Sequence, residues 1–131
     1  DVNELIIMKS DVFHLDTLFT PVINKNNQLA AVIACTSLME KESVNNLKSF
    51  AKRLAIDLVE VEPEDSIGTD EKLGEFAVNC CPLPGYLIGP TRFRSLKVNQ
   101  ILKEVNVMHI TIPTTQFRLS GGSVHCLTNE L

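Results

Sequence analysis

Positive charge is never concentrated in this chain: no Lys/Arg cluster is longer than Lys52-Arg53, and twelve basic against sixteen acidic side chains leave a formal charge of −4. Nucleic-acid binding draws on a basic face that releases counterions from phosphates, so this balance argues against a nucleic-acid partner. Long apolar runs are also missing. None reaches the length of a membrane span, and no basic stretch precedes an apolar run and a cleavage site, so the chain reads as soluble, without a membrane partner. The cysteines, at positions 35, 80, 81 and 126, are few and badly spaced for cross-linking. Adjacent Cys80 and Cys81 are awkward disulfide partners, and they lack the gap of roughly two to four residues that lets neighbouring thiolates share one zinc ion. Free thiols in a reducing compartment, hence a cytoplasmic location, are the expectation.

What is present suffices for a core. The chain has 131 residues, 44% of them hydrophobic, which fits one domain or part of one. Residues 2–8 and 13–23 carry strand-like apolar patterns, Asn24-Lys25-Asn26-Asn27-Gln28 supplies turn chemistry, and residues 29–35 follow as a buried strand. From 37 to 55, Leu47, Phe50, Ala51 and Leu54 fall at helical spacing, with Glu40, Lys41, Lys48 and Lys52 for the wet face. Alternation returns over 56–61 and stops at Pro63, which completes a ββαβ unit.

The same order recurs downstream. Residues 76–81 and 86–88 read as short strands around Pro82-Leu83-Pro84-Gly85, 91–104 as an amphipathic helix with Thr91 as candidate cap, and 107–112 as a strand ended by Pro113. Two successive ββαβ units amount to an internal structural repeat of the α+β class. A third unit is cut short: Phe117-Arg118-Leu119 leads to Ser120-Gly121-Gly122 and then to residues 123–127. Unfinished units leave sheet edges open, and the chain begins at Asp1 without methionine, so a fragment of a larger barrel-like protein is expected.

Chemistry concentrates near the two ends. A cysteine with an imidazole and a carboxylate elsewhere in the chain is the raw material of nucleophilic catalysis. Cys126 lies four residues beyond Gly122, where a permissive backbone lets a ligand approach closely; its plainer reading is a small buried hydrophobe. Strand alternation would put the His14 ring and the Asp16 carboxylate on one face, either as a functional pair or as a core histidine satisfied by an aspartate. On an extended segment His125 would point away from Cys126, which makes it supporting structure. His109, between Met108 and Ile110, reads as a partly buried strand histidine. Arg92 and Arg94 could bind a substrate carboxylate, although ordinary surface arginines fit as well.

The segment Phe13-His14-Leu15-Asp16-Thr17-Leu18-Phe19-Thr20 resembles the His-Leu-Asp-Thr segment of the guanidino-group-modifying enzymes, the pentein superfamily, which includes arginine deiminases, dimethylarginine dimethylaminohydrolases and arginine dihydrolases. The run from Gly121-Gly122-Ser123-Val124-His125-Cys126 to Leu127-Thr128 resembles that family's Gly-rich approach to its nucleophilic cysteine. The resemblance implies an α/β-propeller (pentein) fold of repeated ββαβ units, here an incomplete propeller. Residues 1–131 would form a single partial domain, the C-terminal modules of the whole.

It also implies roles. Cys126 would attack the guanidinium carbon of arginine or a derivative, giving a covalent S-alkylthiouronium after loss of ammonia or an amine. His14 would protonate that leaving group and then deprotonate the hydrolytic water, and Asp16 would hold the guanidinium nitrogens. Asn79 resembles a family position at the edge of the substrate site. The implied protein is a hydrolase of C–N bonds in amidines, in arginine metabolism, requiring no metal or other cofactor. An amidinotransferase would use the same intermediate with an amine as acceptor, and a noncatalytic pentein-like binding or assembly domain would keep the pocket without the chemistry. Family members carry further acidic residues from upstream modules that Asp1, Glu4 and Asp11 do not match in context. The remaining half of the fold, or self-association of two such chains, would then complete the site, and the isolated chain would be inactive if it is a fragment.

Overall fold

A computed structural model describes residues 5–12 and 14–128. Strands β1 (Phe19–Ile23) and β2 (Leu29–Ala34) form an antiparallel hairpin in which Pro21 faces Val32. The turn is built as its asparagines suggest: the Asn24 side chain accepts from the backbone N–H groups of Asn26 and Gln28, and Asn27 takes the left-handed conformation, φ 59°. Helix α1 (Lys41–Arg53) buries Leu47 and Ala51, and β3 (Asp57–Glu60) returns parallel to β2 with Val32 opposite Leu58. The sheet order β1-β2-β3 is the expected ββαβ unit.

A two-residue-strand hairpin, β4 (Gly68–Thr69) with β5 (Lys72–Leu73), separates the units and has no counterpart in the sequence reading. The second unit follows: β6 (Cys81–Leu83) antiparallel to β7 (Tyr86–Gly89), helix α2 (Leu96–Glu104), and β8 (Met108–Thr111) parallel to β7. The helix starts after Ser95 rather than at Thr91. A short helix α3 (Thr115–Leu119) and a 3-10 turn over His125–Leu127 close the described chain. No helix among the described residues is long and apolar enough to cross a membrane.

Three strand expectations are corrected. Residues 2–4 lie outside the described residues, and 5–8 form no strand. They run beside α1, where Asn46 Nδ2 donates to the Ile7 carbonyl, the Lys9 N–H donates to Ser43 Oγ and Met8 packs against Leu47 and its neighbours. The strand expected over 13–23 begins only at Phe19, because Leu15–Thr17 is a 3-10 turn; Phe13 lies outside the described residues. Residues 76–80 are a turn, not a strand: Phe76 has φ 54°, Asn79 N–H returns to the Phe76 carbonyl, and Val78 N–H reaches Asp65. All five are buried. A turn enclosed on every side carries the same apolar composition as a central strand, which is what misled the pattern.

The packing shows the repeat most clearly. Val22, Ala31, Ile33 and Val59 of the first sheet share one core with Leu87 and Val107 of the second unit, and Val98, Ile101 and Leu102 of α2 belong to that same core. The opposite face of the first sheet, with Val32 and Ala34, packs with Leu47 of α1. The first sheet is therefore covered on both faces. The second is covered on the face bearing Leu87, while the register places Leu83, Tyr86 and Met108 in one row and Ile88 and Ile110 in the next on its other face. Met108 is 61% exposed, with Leu83, Tyr86 and Ile110 exposed around it.

Candidate active site

Asp16 is placed by a turn. The Thr17 hydroxyl donates to the His14 carbonyl at 2.6 Å and the Thr17 N–H reaches the same oxygen, which closes the 3-10 turn. Ser66 Oγ donates to the Thr17 carbonyl at 2.5 Å and Cys35 N–H donates to the Leu18 carbonyl, so the back of the turn is buried while Asp16 stays half-buried at its front. A turn, rather than strand alternation, thus sets where the His14 and Asp16 side chains lie.

Asn79 joins this turn to the far end of the chain. Fully buried, it donates through Nδ2 to the Asp16 carbonyl (3.1 Å) and to Asp16 Oδ2 (2.9 Å). Its own carbonyl accepts from His125 N–H at 3.2 Å, and its Oδ1 receives a long contact of 3.5 Å from Cys126 N–H. The His125–Leu127 turn is anchored from the front as well: Ser123 and Val124 are buried, and the Ser123 and Thr114 hydroxyls share a 2.7 Å hydrogen bond. Before it, Gly121 has φ 82°, a conformation that few residues other than glycine adopt, and a Cβ on Gly122 would sit 3.4 Å from Cys126 Sγ.

The consequence is convergence on one oxygen. Cys126 Sγ donates to Asp16 Oδ2 at 3.2 Å, and His125 Nδ1 lies 3.1 Å from the same atom. Among the described residues, no side-chain hydrogen bond of Asp16 uses Oδ1. Burial raises the Asp16 carboxyl, but the hydrogen bonds from Cys126 and Asn79 and the neighbouring His125 outweigh it and hold the group below the usual aspartate range. Asp16 is therefore a carboxylate at neutral pH, available to a cation. Beside it opens a cavity of about 210 Å³ walled mainly by Leu15, Phe19, Pro21 and Cys80.

Three of the four residues singled out from the sequence, Asp16, Asn79 and Cys126, come together. Asn79 lies behind the site rather than at its edge, with its side chain committed to Asp16 and Cys126. His14 contributes its carbonyl to the turn, while its side chain is solvent-exposed and makes none of the hydrogen bonds described within the cluster. His125 is the residue the sequence reading set aside. An extended backbone would have turned it away from Cys126, but a 3-10 turn brings both residues to Asp16. The adjacent glycines were the available signal that the segment bends. Arg92 and Arg94 are exposed; the Arg94 N–H donates to both carboxylate oxygens of buried Asp65. His109 points inward against Phe93, ring centroids 5.3 Å apart, as a partly buried strand histidine.

Two sheets built from successive ββαβ units, with a helix between them, define the α/β-propeller class. Solved structures of that class match. No protein-family model matches the chain, and no curated protein sequence does. The chain is similar to AgrE in complex with L-arginine (TM-score 0.66, 19% identity, 92% of this chain and 16% of that one). It is similar to the product-bound N-terminal domain of ArgZ, an arginine dihydrolase from the ornithine-ammonia cycle in Cyanobacteria (TM-score 0.67, 21% identity, 93% and 40%). The same domain bound covalently to a reaction intermediate gives TM-score 0.62 and 18% identity, over 92% and 39%. At these identities the likeness establishes the fold. The pentein resemblance of the end motifs is thus matched by a pentein architecture, of which the chain spans a part: an incomplete propeller.

Proposed function

We propose that this chain carries the nucleophile-bearing part of a guanidino-group hydrolase acting on arginine or a derivative. The observation that supports this most directly is the 3.2 Å contact between Cys126 Sγ and Asp16 Oδ2, made across the whole described fold. A carboxylate beside a thiol is a poor arrangement for an isolated cysteine, because negative charge opposes ionisation of the sulfur. It becomes useful when a cation sits on the carboxylate. A guanidinium accepted by Asp16, with Oδ1 for one of its N–H groups, would bring its carbon toward the sulfur and favour the thiolate.

Attack by Cys126 forms a C–S bond and a tetrahedral adduct. Protonation of one nitrogen by His14 releases ammonia or an amine and leaves the S-alkylthiouronium on Cys126. His14 then takes a proton from water, which adds to the same carbon; the C–S bond breaks, the thiol returns, and a ureido product leaves. Asn79 supports this by holding the Asp16 turn and the Cys126 turn together. An amine in place of water would make the protein an amidinotransferase. The pathway context is arginine metabolism, and the location the cytoplasm.

Residues 1–131 are read as one partial domain, the C-terminal modules of a larger propeller. The uncovered apolar face of the second sheet supports that reading, since the equivalent face of the first is covered by α2 of the next unit. Remaining units of the propeller would cover it and bring further acidic residues to the site; a second copy is the alternative. Alone, the chain would then bind without turning substrate over.

The test uses the longest form of the protein. Incubation with arginine, methylated arginines and agmatine should give a ureido product and ammonia or an amine. The Cys126→Ala variant should abolish this, and undiminished turnover in that variant would sink the mechanism. A protein that binds these ligands without turnover in any form is a noncatalytic relative.

A further inference from the structure

The cavity beside Asp16, about 210 Å³, takes its walls from three separate segments. Phe19 and Pro21 alternate along β1 and so share one face of that strand, Leu15 comes from the 3-10 turn, and Cys80 from the turn over 76–80. β1 is an edge strand of its sheet, which is where a proline with no N–H to give is tolerated. The polar atoms along this wall are already engaged. The Cys80 thiol donates to the Ala77 carbonyl at 3.0 Å, with burial raising its pKa, and the Thr20 hydroxyl turns to the Pro21 carbonyl. Among the described residues, no lysine or arginine borders the cavity, Asp16 is its one carboxylate and His125 its one imidazole. The arrangement is a carboxylate beside an apolar chamber.

We propose that this chamber is a subsite for a short, uncharged alkyl substituent on the guanidinium that Asp16 holds. The inference rests on reading Asp16 as the guanidinium partner and adds what the neighbouring part of the ligand must be. A substituted guanidinium is a cation at one end and hydrocarbon at the other, which is the pairing that the cavity offers. Its methylenes leave water against Leu15, Phe19 and Pro21, worth about fourfold in affinity for each one fully buried. A carboxylate placed there gives up its water among hydrocarbon, with no lysine or arginine of the wall to meet it. The carboxylate of an amino-acid ligand therefore lies beyond this chamber. At about 210 Å³ the cavity is also smaller than the roughly 300–1,000 Å³ pockets that enclose drug-sized ligands, which limits the substituent to a few carbons.

The test is a binding series read from backbone amide NMR shifts of the 131-residue chain, with methyl-, ethyl-, propyl- and hexylguanidine as probes. From methyl to propyl the affinity should rise about two- to fourfold per methylene, and beyond propyl the gain should fall away. 3-Guanidinopropionate, which ends in a carboxylate at similar length, should bind about tenfold more weakly than propylguanidine. Leu15→Ser and Phe19→Ala should each flatten the series while methylguanidine still binds, whereas Asp16→Asn should weaken every member. Leu15 is 37% exposed, so its replacement leaves the fold intact and carries the test should Phe19→Ala fail to fold. Equal affinities across the series, a series still rising at hexyl, 3-guanidinopropionate binding as tightly as propylguanidine, or increments that survive the Leu15 variant would each overturn the proposal. So would the absence of shifts with every probe. Any of these in a protein whose longest form turns arginine over leaves the proposed function standing. Alkyl-dependent binding without turnover of any guanidine overturns that function and leaves the subsite.

Discussion

Asn79 Nδ2 donates both to the main-chain carbonyl of Asp16 and to its carboxylate, so one buried amide fixes the backbone and the side chain of the same residue 63 positions away. This double hold ties the exposed His125 and Cys126 side chains to a buried anchor through Asp16. It also separates two roles for Asn79, since a residue that merely touches substrate contributes little to folding.

Asn79→Ala should therefore destabilise the protein by about 1–3 kcal/mol, the cost of leaving a buried partner unsatisfied. Urea unfolding followed by circular dichroism checks this. An unchanged midpoint would mean that the amide is not structural.

The pH dependence of stability should carry a signature of His109. Burial lowers its pKa below the usual 6.5, reinforced by the charge of Arg92, and its Nε2 is shut off from solvent without a hydrogen-bond partner in the described structure. The folded state thus binds this proton less readily than the unfolded state. The contribution of the neutral ring is fully present above about pH 6.5 and is lost as pH falls through that value toward the lower folded pKa. The urea midpoint of the native chain should fall between pH 7 and 5, and His109→Phe should flatten the fall. Parallel curves would dismiss the assignment.

Gly89 is required for space. A Cβ there would meet Cys80 Sγ at 2.7 Å and His109 Nε2 at 3.2 Å, inside the core between the second sheet and the 76–80 turn. Gly89→Ala should cost on the order of 1–3 kcal/mol as an overpacked site. Cys80→Ala should recover part of that cost, and a double-mutant cycle would measure the coupling. Additive effects would show that the crowding lies elsewhere.

The four free thiols should label in order of access. Cys126 is exposed, Cys81 half-buried, and Cys35 and Cys80 buried, with burial raising the pKa of both buried thiols. Under native conditions a thiol reagent should modify Cys126 first and Cys81 more slowly, leaving Cys35 and Cys80 until urea unfolds the chain. Early modification of Cys80 would contradict the packing of the 76–80 turn.

The apolar face of the second sheet should make the isolated chain self-associate with concentration. Met108→Lys combined with Ile110→Lys should return it to a monomer in light scattering, with stability changed by less than about 0.5 kcal/mol because both side chains are exposed. A native chain that stays monomeric at high concentration would remove this expectation.

Much of the fold was legible because regular elements carry a local signature. A buried apolar run marked β2, alternation marked β3, the spacing of Leu47 and Ala51 marked α1, and asparagines marked the hairpin between β1 and β2. Two of the errors share one cause. Residues 76–80 and 123–127 are turns held by contacts with remote partners such as Asp65 and Asn79, and no periodicity records a partner that is distant in sequence. His125 was set aside for that reason, since its direction depended on a backbone bend that only neighbouring elements impose.

By itself, then, the sequence determined the two ββαβ units and the residue types of the candidate site, because side-chain chemistry and short-range periodicity are local properties. Which of those residues meet was decided by tertiary structure. Asp16, His125 and Cys126 share one oxygen because a buried asparagine on a third segment clips two 3-10 turns together, and a hydrogen bond between segments is a property of packing alone.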